Sequence, residues 1–210
     1  REAQLSPVIG FALLRDPFFL AACLALSIQS GMEGMSNDWM TRFFAKSGLQ
    51  AGIERSESAI QLSLVALTLG MTATRLVLSS ILKHIESRFV LYASIARTVC
   101  GSLVLATTSE YYASLVGALL VGCGLAAIFP VVLGYVGDRY PQLSGTAFST
   151  IFVTALVGNM LINKTFGYVA QKHDVVQYPA MMLVLVAGSA TLLCIAMRKA
   201  RVPLSECAKL

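Results

Sequence analysis

Charge is what this sequence has least of. Lysine, arginine, aspartate and glutamate make up 13% of the 210 residues, where a soluble domain carries about 25%. So little charge cannot cover a water-facing surface. Histidine is scarcer still: His84 and His173, both in short polar segments, are the only two, so no HxxH or similar metal pair exists. The five cysteines show no CxxC spacing and no clustering with histidine. Cys23, Cys100, Cys123 and Cys194 lie inside apolar runs and Cys207 lies in the tail, so they read as small core residues rather than a disulfide or metal framework. No GxxxxGK[ST] phosphate loop occurs, and VGCGLAA at 121–127 meets the dinucleotide pattern loosely, in mid-run and without a strand before it. A GxSG serine with a buried histidine is missing too. The expectation is a protein with no catalytic residues, no metal and no cofactor.

What is present is apolar. Hydrophobic residues make up 56% of the chain and mean hydropathy is +0.72. Apolar runs lie at roughly 17–44, 58–82, 89–107, 111–137, 144–170 and 175–197, separated by polar segments such as KHIESR and DRYPQ. Crossing a bilayer takes about 20 mostly apolar residues per helix. The runs reach that length and lack the alternation of a membrane barrel. The fold class is therefore an all-α membrane protein of six transmembrane helices: a linker at 1–16, a bundle at 17–198 and a tail at 199–210. The opening REAQLSP begins with arginine and carries no signal-peptide pattern, so a piece of a longer chain is expected.

The net charge of +5 reads as topology rather than as a nucleic-acid footprint. With both termini cytoplasmic, Arg1, Arg15, Lys83, Arg88, Arg139, Arg198, Lys199, Arg201 and Lys209 fall inside, against Arg42, Lys46, Arg55 and Lys172 outside. That excess agrees with the positive-inside rule. The implied partners are the lipid bilayer and a small-molecule solute.

Polar residues inside the runs are the candidate site. In SIQSGMEGMSNDWM, Gln29, Glu33 and Asn37 follow one another at four-residue spacing and share a helix face. An ionised acid in a span costs at least a few kcal/mol unless it faces protein or water. Glu33 reads either as a solute or proton site or as a structural hydrogen bond. Gly31 and Gly34 flank it and would let the first helix bend or unwind there. Asn159 and Asn163 repeat the spacing in the fifth run, where amides suit solute hydroxyls or helix-to-helix bonds equally. Arg75 lies near the inner end of the second run, within snorkelling reach. Arg97 lies deeper in the third, and Asp138 and Arg139 end the fourth. These four are candidates for gating or structural ion pairs. Small residues at Ala118 and Gly122, Gly70 and Thr74, and Gly134 and Gly137 would let backbones approach closely.

GLAAIFPVVLGYVGDRYPQLSGTAF, at 124–148, resembles the tenth and eleventh helices of the major facilitator superfamily, where a glycine-rich helix with a proline enters a short basic loop. LGMTATRLVLSSILKHIESRFVL, at 69–91, is similar to the eighth helix, its loop and the start of the ninth, with Thr74 in place of the family's glycine and Lys83 where aspartate is common. GMEGMSNDWMTRFF, at 31–44, looks like the seventh helix of the fucose permease-like branch. The resemblance implies the carboxy-terminal half of a twelve-helix transporter, built as two inverted three-helix repeats. It further implies solute bound between the halves and proton-coupled sugar uptake, with the main proton-linked acids on the amino-terminal half. Export of another solute class, or a scaffold or receptor that no longer transports, is the alternative.

Overall fold

The chain was analysed as a computed structural model, which describes residues 10, 13–81 and 85–200. The helices are α1 (Pro17–Gln50), α2 (Glu57–Ile81), α3 (Ser87–Thr107), α4 (Tyr111–Leu125), α5 (Ile128–Arg139), α6 (Ser144–His173) and, after a 3₁₀ turn at Val175–Gln177, α7 (Tyr178–Ala200). The described residues contain no strand. They provide six segments long and apolar enough to cross a membrane, with α4 and α5 together forming the fourth. The protein is an integral membrane protein of six spans. Most of the 1–16 linker and of the 199–210 tail, and the Lys83-His84 pair, lie outside the described residues.

Local chemistry sets the helix ends. Asp16 caps α1, its carboxylate accepting the Phe18 N–H at 2.8 Å, and Pro17 occupies the first turn, where its missing N–H costs nothing. Glu110 caps α4 in the same way, accepting from the Ala113 N–H at 2.7 Å. The first helix outruns its apolar run by six residues. It continues to Gln50 because Phe43, Phe44, Ser47 and Gly48 are still buried, and it stops just before Gly52, whose φ of 72° needs glycine.

The fourth span is the one that breaks. Ala126 and Ala127 fall between α4 and α5. Pro130 accounts for this, because it donates no N–H and its ring crowds the carbonyl four residues back, that of Ala126. The glycines of the first span do not unwind it: α1 is continuous over Pro17–Gln50. Gly31 and Gly34 instead let α6 approach. A side chain at Gly31 would strike Ile162, and one at Gly34 would strike Asn159 and Asn163.

The six spans interlock as two trios. In the first trio, α1 packs most extensively on α6 and α7 of the second; in the second, α4 packs most extensively on α3 and α2 of the first. Exchanging the trios exchanges these contacts, the pattern of an inverted repeat. Glycine allows both crossings. A Cβ at Gly101 would lie 2.7 Å from the Gly117 carbonyl oxygen, one at Gly70 2.5 Å from that of Leu119, and one at Gly158 2.6 Å from that of Ser27. Gly122 presses on the Leu67 backbone, but Gly134 faces open space. In the most apolar windows of α1 and of α4–α5, 61% of residues are buried, against 22% in α2 and α6. The bundle therefore has α1 and the fourth span at its centre, with α2 and α6 as outer walls.

Candidate solute site

The polar stripe of α1 is distributed over three environments. Gln29 is fully buried, and its Nε2 donates to the Leu125 carbonyl at 2.7 Å. Leu125 is the last residue of α4, and a helix end leaves its final carbonyls in need of donors. Gln29 thus ties α1 to the break in the fourth span, while its Oε1 has no partner among the described residues. One turn on, Glu33 accepts from Arg75 of α2, Oε1 to Nη2 at 2.8 Å. A further turn on, Asn37 is exposed.

The structure therefore joins two residues that the sequence placed in separate roles. The Glu33 side chain is 25% exposed and that of Arg75 49%, so the pair opens onto the surface of the bundle. In a membrane an acid and an arginine that find each other avoid the cost of two lone charges. The same pair presents both a negative and a positive hydrogen-bonding group to whatever occupies the space beside it.

The amides of α6 sit on the other flank of α1. Asn163 Nδ2 donates to Asn159 Oδ1 at 2.7 Å, leaving Asn163 Oδ1 buried and without a partner among the described residues. Gly34 lies directly beneath both amides, so this pair and Glu33 occupy consecutive positions around one turn of α1. Ser27 adds a link to α6, its hydroxyl donating to the Thr154 carbonyl at 2.9 Å. Ser36 and Tyr178 of α7 share a hydrogen bond of 2.8 Å. These serines carried no signal in the sequence, because serine is common in spans and only the packing shows which ones face a partner.

The candidate ion-pair residues separate. Arg139 pairs with Asp16, Nη2 to Oδ2 at 3.7 Å, and lies over the Phe18 ring at 4.8 Å. The Tyr140 hydroxyl donates to the same Asp16 carboxylate. Burial pushes the Tyr140 pKa above its ordinary value, and the carboxylate adds to the rise. Asp16 thereby holds the start of α1 to the end of α5; its partner role was not legible, because the two residues are far apart in sequence. Asp138 is exposed and, among the described residues, makes no hydrogen bond or ion pair. Arg97 reaches no acid among the described residues; its Nε donates to the Ala93 carbonyl of its own helix at 3.1 Å. Trp39 packs edge-on against Phe166 at 5.2 Å, with the Arg42 guanidinium over its ring at 4.9 Å.

Six spans in two interlocked trios, with a charged pair on one side of the central helix and an amide pair on the other, make an inverted-repeat helical half-bundle. The chain superposes on the POT family transporter PepTSo, known from an in meso crystal structure, with a TM-score of 0.71 and 18% identity, over 88% of this chain and 38% of that one. The chain thus spans well under half of that transporter. No family model and no curated protein matches the sequence.

Proposed function

We propose that this chain is one six-helix half of a secondary transporter, and that it moves a small polar solute by alternating access together with a second six-helix half. The observation that carries the reading is the Glu33–Arg75 pair on one flank of α1 with the Asn159–Asn163 pair on the other, contributed by α2 and α6, the two least buried helices. Apolar side chains would serve packing better at these positions, and two interacting charges are retained in spans where each alone is costly. The exposed sides of α2 and α6 suit a second half that would close the cavity.

The finer reading follows from chemistry. A carboxylate, a guanidinium and an amide with a free acceptor match the alternating donors and acceptors of a sugar, as does the likeness of residues 31–44 to the fucose permease-like branch. In proton coupling, protonation of Glu33 would release Arg75 and reset the pair between open states. The placement is a cell membrane, with both termini in the cytoplasm as the cation distribution favours.

The test is Glu33→Gln in the intact transporter, with sugar uptake and exchange measured side by side. Coupling through this carboxylate predicts that exchange persists while accumulation against a gradient is lost. Wild-type accumulation by that variant would remove Glu33 from the mechanism.

A further inference from the structure

A cavity of 660 Å³ opens between the starts of α1 and α3 and the ends of α5 and α7, and neither Glu33 nor Arg75 lines it. Consecutive spans alternate in direction, so these four ends lie at one membrane surface. The volume falls in the usual range for a small-molecule site, about 300–1,000 Å³. Its walls are divided. Leu91, Val132 and Met197 line the part within the spans, while Arg88, Arg198 and Glu86 stand at the rim.

The charges at the rim do not cancel. Arg88 is paired with Glu86, but Arg198 is exposed and has no acidic partner among the described residues. The rim carries one net positive charge above an apolar slot. A soluble anion would use the arginines and leave the slot empty, and an uncharged acyl chain would do the reverse. A molecule with an anionic head and an aliphatic tail uses both.

We propose that this cavity is a binding site for an anionic phospholipid, its phosphate against Arg198 and Arg88 and one acyl chain along Leu91, Val132 and Met197. Arginine suits the phosphate because its planar fork can donate two parallel hydrogen bonds. Glu86 competes with the lipid for Arg88. A site bridging α1, α3, α5 and α7 joins both trios, so the bound lipid stabilises the half-bundle against separation of its repeats. The assignment does not depend on which solute is carried.

The test uses the intact transporter in a neutral detergent, titrated with phosphatidylglycerol, phosphatidylcholine or inorganic phosphate. Unfolding temperature is followed, and bound lipid is counted by native mass spectrometry. Phosphatidylglycerol should raise Tm more than phosphatidylcholine, with no response to phosphate. Arg198→Gln should lose most of that rise and the bound-lipid peak, while Lys172→Gln, the same charge loss at the opposite membrane surface, should keep both. Glu86→Gln should strengthen the response by freeing Arg88. Equal responses to the two lipids, an unchanged response in Arg198→Gln, a weakened one in Glu86→Gln, or a response to phosphate equal to that of the lipid would each overturn the assignment.

Discussion

The side-chain amide of Gln29 and the backbone carbonyl of Leu125 meet at 2.7 Å, joining the central helix of one trio to the broken central helix of the other. The partners are 96 residues apart in sequence. Replacing Gln29 by methionine keeps the length of the side chain and removes the donor. The expected loss of stability is about 1 kcal/mol, the scale of a net hydrogen bond in protein and in bilayer. Unfolding of the intact protein in detergent would measure it, and a gain in stability would mean that the unpartnered Oε1 outweighs the bond.

Glycine substitutions separate close crossings from open ones. Gly158→Ala, which meets the Ser27 backbone, and Gly122→Ala, which meets that of Leu67, each force two helices apart. A loss of roughly 1–3 kcal/mol is expected for each. Gly134 lies in α5 with nothing near its missing side chain, so Gly134→Ala should gain about 0.4–1 kcal/mol through reduced unfolded-state entropy. The thermal midpoints of the three variants should therefore fall on both sides of the wild type.

The Glu33–Arg75 pair predicts non-additivity. Glu33→Gln and Arg75→Gln each leave one charge in a span without its partner, whereas the double variant leaves none. The double variant should be more stable than the sum of the singles allows, by about 1 kcal/mol given the exposure of both groups. A double-mutant cycle on unfolding gives the coupling directly, and additive effects would show that the contact is incidental.

Tyr140 sets a pH dependence at the membrane surface. Its folded pKa is raised, by burial first and by Asp16 second, so folding favours the protonated phenol. That contribution is complete below the ordinary tyrosine value of about 10 and disappears as pH rises through the higher folded value. A titration of phenolate absorbance should show a late-ionising group that is missing in Tyr140→Phe. Loss of an ordinary, early-ionising phenol in Tyr140→Phe would mean that the hydroxyl is held neither by burial nor by Asp16.

Topology is accessible through the segment between α1 and α2. Glu54 is exposed there, and the proposed orientation, with both termini cytoplasmic, expects that segment outside. In a background without native cysteines, Glu54→Cys should react with an impermeant thiol reagent added to intact cells. Labelling only after permeabilisation would invert the orientation.

The number of spans and their approximate limits were legible in the sequence, because a bilayer demands long apolar runs and the chain supplies six. The polar positions were legible for the same reason, since lipid makes each an exception. Their partners were not. Gln29, Glu33 and Asn37 share a face at four-residue spacing, yet one meets a backbone carbonyl, one an arginine and one is exposed. Gly31 and Gly34 marked a place where something unusual had to happen, but glycine permits unwinding and close packing alike. The helix stays continuous, and the approach of α6 shows that close packing is what these glycines serve. Pro130 carried a definite local consequence, a missing donor and a crowded carbonyl, and the break fell there. Composition and periodicity thus determined what this chain is dissolved in and how many times it crosses. The packing of α1 against α2, α4 and α6 decided which polar groups meet, because a hydrogen bond or ion pair acts over about 3 Å and sequence spacing cannot specify that across separate helices.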